Sequence, residues 1–182
     1  IREDSEYKQF LRALERDFRA NPLPILASGL CDGASDAFLV SLLEDSRAFR
    51  SKTALLVLPE EKDCVRAAGM LERYGLRAAF YMARDLTFYN ITASHEFEHE
   101  RLYVLSGLLE GRFDFVFTTP EVALGYTIPR EILKSNLITL DFDVRLEPME
   151  LARRLVAAGY ARVDMVEGAG QFALRGGIVD VY

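Results

Sequence analysis

The sequence predicts an α/β fold in two parts: a parallel sheet flanked by helices over residues 1–124, then a smaller α+β domain with an antiparallel meander over 125–182. Three observations carry this expectation. Short apolar runs of strand length alternate with longer segments of helical periodicity through the first part of the chain, the pattern of successive βαβ units. One of these runs, Phe113 to Thr118, is apolar almost throughout, as strands covered on both faces tend to be. Beyond Gly159 the helical segments give way to three short runs separated by glycines, the mark of hairpin-connected strands.

Taken in order, Ser5 to Arg19 places Phe10, Leu11, Leu14 and Phe18 at helical spacing among charges, and Asn21 to Pro24 ends the helix. Ile25 to Ala27 is a short buried-strand candidate, followed by a glycine-bearing turn at Gly29 to Gly33 and a helix from Ala34 to Leu43. Thr53 to Leu58 reads as a strand closed by Pro59, and Glu60 to Tyr74 as a helix stopped at Gly75. Ala78 to Met82 is a third strand, Ala93 to Glu110 a long helix ended by Gly111, and Phe113 to Thr118 a fourth strand. The long helix carries an apolar stripe of Phe97, Leu102, Leu105, Leu108 and Leu109. A short helix is expected after Pro120 and another at Arg130 to Leu133. Leu137 to Asp143 reads as a strand, and Glu147 to Ala158 as a helix with Pro148 in its first turn. Arg162 to Glu167, Gln171 to Arg175 and Ile178 to Tyr182 are the strands of the meander.

Half of the residues are hydrophobic and 27% are charged, an ordinary globular balance that excludes disorder and low complexity. The net charge of -6, from 22 Lys and Arg against 28 Asp and Glu, repels a phosphate backbone and argues against direct nucleic-acid binding by this segment. The longest apolar runs are far too short to span a bilayer and no signal pattern opens the chain, so a cytoplasmic location is expected. Cys31 and Cys64 lie in no metal-ligand spacing and read as small core residues in a reducing compartment. A start at Ile1 and an end within a strand pattern lead us to expect a segment of a longer chain.

Two strings have the form of known chemistry. The turn at Gly29, Asp32, Gly33 and Asp36 sits where a phosphate-binding loop would sit, but its spacing is one residue short, no Lys follows, and two carboxylates stand where phosphates need neutralising. It reads as a degenerate nucleotide loop. His95-Glu96-Phe97-Glu98-His99 has the H-E-x-x-H form of a zinc hydrolase, with two imidazoles one helical turn apart and a Glu as general base. These are the only histidines, no downstream residue is designated as a third ligand, and the surrounding positions are charged, so a solvated helix turn is favoured and a zinc metallohydrolase is the alternative. The aromatic run from Phe80 to Asn90 has only Arg84 for charge and reads as packing. Alternation along Gln171 to Arg175 puts Phe172 and Leu174 on one face and Arg175 on the other, and Arg162 is expected to share the exposed face with Arg175 as a docking surface for partner carboxylates.

Residues Tyr160 to Tyr182 resemble the block GY-x-RV-x-x-V-x-x-x-G-x-F-x-x-RGGI-x-D-[VIL]-[FY] in the N-terminal, UvrB-homologous module of the bacterial transcription-repair coupling factors (Mfd) and, more loosely, in the excision-repair protein UvrB. Ala83 to Asn90, His99 to Leu102 and Thr118 to Leu124 are similar to further segments of that module in the same order, so the resemblance covers most of residues 25–182. It implies a helicase-like, P-loop-derived sheet that has lost its nucleotide site, followed by part of the small domain that recruits the damage-recognition protein UvrA to stalled RNA polymerase. It implies a non-catalytic segment without cofactor, since ATP and Mg2+, DNA translocation and RNA polymerase contact belong to other domains of that family. Position by position, Arg162 and Arg175 match arginines of the UvrA contact, with Phe172 on the same hairpin, and Ala173 stands where UvrB has a second Arg.

Overall fold

The computed structural model describes residues 1–182 apart from 21–24, 32, 47, 48, 50, 51, 84–95 and 144, and apart from the side chains of 16–20 and 96. The chain divides into two compact units. The first comprises Ile1–Phe80 with Gly111–Pro120, the second Tyr81–Glu110 with Glu121–Tyr182.

In the first unit, helix α1 (Ser5–Ala20) starts where the Asp4 carboxylate accepts the backbone N–H groups of Glu6 and Tyr7 at 2.8 and 3.0 Å, two of the donors that a helix start leaves without partners. Its apolar face meets α2 (Ala34–Asp45): Tyr7 and Phe10 pack edge-on against Phe38, and the Tyr7 hydroxyl donates to Asp45 Oδ2 at 3.0 Å. Three parallel strands follow, β1 (Ala54–Val57), β2 (Ala78–Phe80) and β3 (Phe115–Thr118), in the order β1-β3-β2. The centre goes to β3, whose four residues are all buried, in keeping with its unbroken apolar sequence. At the edge, β1 turns Ala54 and Leu56 inward and leaves Leu55 and Val57 exposed. Helix α3 (Glu61–Arg73) lays Cys64, Ala67, Ala68 and Leu71 over Phe115, Phe117 and Ala78 and is ended by Gly75, whose φ of 77° favours glycine. Cys64 is a small core residue as expected; Cys31 is not, because its backbone sits in an exposed turn. At the start of the sheet Arg77 grips Asp114 through two nitrogens, 2.7 and 3.1 Å, and donates to the Gly111 carbonyl at 3.3 Å.

Residues Ile25 to Ala27 do not form the expected strand. They are irregular, Leu26 is 86% exposed, and among the described residues no strand pairs with this apolar run to complete a ladder.

The second unit contains α4 (Glu96–Leu109), α5 (Pro120–Ala123), α6 (Arg130–Asn136), α7 (Pro148–Ala157) and a sheet of β4 (Ala161–Arg162), β5 (Gln171–Arg175) and β6 (Ile178–Val181). By its bounds α5 begins one residue before the second unit. The face that α4 buries differs from the expected stripe. Arg101 and Val104 are its inward residues, whereas Phe97, Leu102 and Leu108 are exposed. Arg101 is held inside because it donates to the Met82 carbonyl and the Tyr81 hydroxyl and lies over the Tyr81 ring, 4.2 Å from its centre. The Tyr81 hydroxyl also lies 3.1 Å from Thr127 Oγ1.

Pro148 opens α7, where its missing N–H costs nothing, and Gly159 at φ 96° stops it. Leu151, Ala152 and Leu155 on α7 pack on Phe172, forming a second core that Ile138, Leu146, Tyr160, Leu174 and Val179 enclose. The meander is only half antiparallel. β5 and β6 pair antiparallel through a turn at Gly176 and Gly177 in which only the first glycine has positive φ, 60°, as a type II′ turn requires. β4 is two residues long and pairs parallel to β5, with Ala161 opposite Gln171 and Arg162 opposite Phe172. The connection 163–170 carries the chain back so that it enters β5 in the original direction, and Gln171 Oε1 pins it by accepting the N–H groups of Glu167 and Gly168. Leu137 to Asp143 is not a strand either: Leu140 and Phe142 stand in solvent.

Candidate interaction surface

The sheet of the second unit carries the three residues the sequence assigned to partner binding, and its register fixes where each points. In a ladder, paired residues project to the same face and neighbours along a strand alternate. Phe172 therefore shares its face with Leu174, Val179 and the paired Arg162, the face that α7 covers. Arg175 shares the opposite face with Ala173, Asp180 and Ile178. Both arginines are exposed, but they do not project together as expected; β4 pairs with β5 in a register that sets Arg162 opposite Phe172, an odd number of strand steps from Arg175. The β4 pairing ends at Arg162, with one further bond from the Val163 N–H to the Phe172 carbonyl, so among the described residues the stretch of β5 from Ala173 to Arg175 has no strand partner on that side and forms an open edge. Three strand steps and one interstrand spacing set the two Cα atoms about 11 Å apart.

Phe172 is fully buried, with no exposed surface for a partner to touch. Its contribution to the surface is to anchor β5 on α7 and so hold the strand that carries Arg175. Arg162 has no ion-pair partner among the described residues, whereas Arg175 reaches across the hairpin to Asp180 Oδ2. Sequence reasoning overlooked Asp180, although a two-residue turn between Arg175 and Ile178 necessarily brings residues five apart into diagonal contact.

On the other side of this sheet's first turn lies His99. A Cβ on Gly170 would stand 3.2 Å from His99 Nε2, so the imidazole rests on a backbone turn that only glycine leaves open. Next to it is a cavity of about 870 Å³ bordered by Leu102 and Tyr103 of α4, Leu133 of α6, Leu155 of α7 and Val181 of β6. Of the other zinc-motif members, His95 lies outside the described residues and the side chain of Glu96 is not described. What is seen of His99 is a packing role.

The glycine turn before α2 has φ of 82° at Gly29 and 84° at Gly33, and the Ala34 N–H is already used by the Cys31 carbonyl at 3.0 Å. Asp36, in the first turn of α2, is buried, and Asp32 lies outside the described residues. No lysine follows the loop, and the Asp36 carboxylate adds negative charge in the first turn of α2 where a phosphate-binding loop needs positive charge. The sheet is of the α/β kind, with no feature that ties it further to helicases. No helix among the described residues is long and apolar enough to cross a membrane.

Comparison with known proteins gives these surfaces a context. Residues 124–182, which include β4, β5 and β6, match the family described as the UvrB interaction domain. Along its whole length the chain is 28% identical to the transcription-repair-coupling factor of Bacillus subtilis, over 184 aligned residues. The corresponding protein of Staphylococcus aureus is 23% identical across 86% of the chain, and that of Staphylococcus haemolyticus 31% identical across half of it. The chain spans only about 15% of the length of the Bacillus relative and 14% of the Staphylococcus aureus one. Residues 124–182 thus match the UvrB interaction domain, and the chain as a whole is similar to the transcription-repair-coupling factors.

Proposed function

We propose that this segment is a non-catalytic docking module that recruits UvrA to sites of stalled transcription, and that residues 125–182 form the recruiting domain. The observation that carries the proposal is the pair of exposed guanidinium groups, Arg162 and Arg175, on the sheet of the matched interaction domain. Guanidinium forks suit bidentate contact with carboxylates. Because the two lie on opposite faces near the open edge of β5, a partner that reaches both straddles that edge instead of lying flat on one face. Phe172 takes part only by holding β5 in place. The module works in the cytoplasm and binds neither nucleotide nor metal; the degenerate loop at Gly29 to Asp36 is a structural turn. ATP-driven movement on DNA and contact with RNA polymerase belong to the rest of the longer protein.

The test is binding of purified UvrA by the chain and by Arg162→Glu and Arg175→Glu. Each reversal weakens binding at least about tenfold, as expected of an interfacial arginine, while the thermal midpoint stays within a few degrees because both side chains are exposed. Undiminished binding in both variants rejects the assignment.

A further inference from the structure

Asp180 has no assigned role, and its placement on the proposed surface is specific. It pairs with Ala173 across the β5–β6 ladder, which sets it diagonal to Arg175 and on the same face, and its Oδ2 contacts Arg175 Nη2. Both side chains keep about half of their surface in solvent, 63% for Arg175 and 42% for Asp180. One edge of the guanidinium is thus engaged within the hairpin, and its remaining N–H groups are left for a partner.

We infer that Asp180 is a positioning residue for the Arg175 contact: it holds the guanidinium in its docking orientation, so that UvrA meets a fork already in place. This rests on the UvrA assignment proposed above. Two effects of the aspartate oppose each other. Fixing a long side chain before binding removes an ordering cost and favours the complex by about three- to tenfold. A carboxylate near the incoming acidic group repels it, but between solvated charges at ordinary ionic strength this is worth about twofold at most. Positioning prevails, and removal of Asp180 weakens the complex.

The experiment measures affinity and dissociation rate of the chain for UvrA with wild type, Asp180→Ala, Asp180→Asn, Arg175→Ala and the double variant Asp180→Ala with Arg175→Ala. Expected are a loss of about three- to tenfold for Asp180→Ala, carried by faster dissociation, and a smaller loss for Asp180→Asn, which keeps an acceptor oxygen in the same place. In the Arg175→Ala background, removal of Asp180 causes no further loss, because its positioning acts through that arginine; relief of its repulsion raises affinity by about twofold at most. The unfolding midpoint of Asp180→Asn, matched to wild type, separates positioning from folding. If Arg175→Ala weakens binding while Asp180→Ala does not, or if the two losses simply add, the inference is overturned and the UvrA assignment stands. If Arg175→Ala binds normally, the UvrA assignment at Arg175 is what fails.

Discussion

Replacing Phe172 by alanine separates a core role from a contact role. The ring is fully buried among Leu151, Ala152 and Leu155, with Leu174 and Val179 beside it on the sheet. A buried phenyl ring covers about 150–250 Å², which at about 25 cal/mol per Å² is worth about 4–6 kcal/mol. Alanine keeps the Cβ and the site partly collapses, so the expected loss is about 3–5 kcal/mol. That is a large share of the stability of a small domain, about 5–15 kcal/mol in general. At about 4–8 °C per kcal/mol for a domain of roughly 60–100 residues, the thermal midpoint falls by more than about 12 °C. Urea unfolding followed by far-UV circular dichroism measures the loss, and UvrA binding is recorded below the transition of each variant. Phe172→Leu provides the control: it keeps most of the apolar volume, costs about 1.5 kcal/mol or less, and binds UvrA as wild type does. If Phe172→Leu abolishes binding while Phe172→Ala costs less than about 1 kcal/mol, the ring is a partner contact and its assignment to the core is wrong.

Two further perturbations test the neighbouring structure. Gly170→Ala forces a side chain into φ 77° and places its Cβ 3.2 Å from His99 Nε2, so it destabilises by about 1–3 kcal/mol; adding His99→Ala relieves the clash and not the backbone strain, and a double variant no more stable than Gly170→Ala would show that the imidazole does not bear on the turn. Asp114 is held below its ordinary value of 3.8, chiefly by the hydrogen bonds from Arg77, against the opposing effect of burial. The folded state therefore favours the carboxylate: the contribution of the pair is complete above pH 3.8 and fades as the pH falls through the lowered folded value, because protonation removes the acceptor charge. Denaturant titrations should show wild type and Asp114→Asn converging in stability as the pH is lowered through that window, and a constant difference between them would refute the assignment.

How much of the fold could be read from the sequence follows the range of the forces involved. Helices α1, α2, α3 and α7 are set by periodic apolar positions and by local stops such as Gly75 and Gly159, and their bounds were legible within a few residues. β1, β2 and β3 were legible for the same reason. Ile25 to Ala27 and Leu137 to Asp143 have equally apolar sequences and form no strand, because a strand exists only where a second backbone completes its hydrogen bonds, and that partner is not written into the run itself. The buried face of α4 was illegible on chemical grounds. A pattern count treats Arg101 as solvated, yet the Met82 carbonyl and the Tyr81 hydroxyl and ring satisfy its charge inside the unit, and Leu102 and Leu108 turn outward as a result.

The interaction surface divides along the same line. The exposure of Arg162 and Arg175 agrees with their charge, and the Gly176-Gly177 turn fixed the β5–β6 register from two residues of sequence. The relation between the arginines could not be inferred, since it depends on whether β4 runs with or against β5 and on which residue faces Phe172. Both are decided by the path of residues 163–170, where Gln171 ties down the N–H groups of Glu167 and Gly168, a contact without periodic signature. Slippage of β4 by one residue would bring Arg162 round to the face of Arg175. The separation of the two guanidinium groups to opposite faces is therefore held by groups that touch neither of them: the Gln171 amide that ties down the 163–170 connection, and the backbone bonds from the Ala161 N–H to the Gly170 carbonyl and from the Val163 N–H to the Phe172 carbonyl that keep β4 in register.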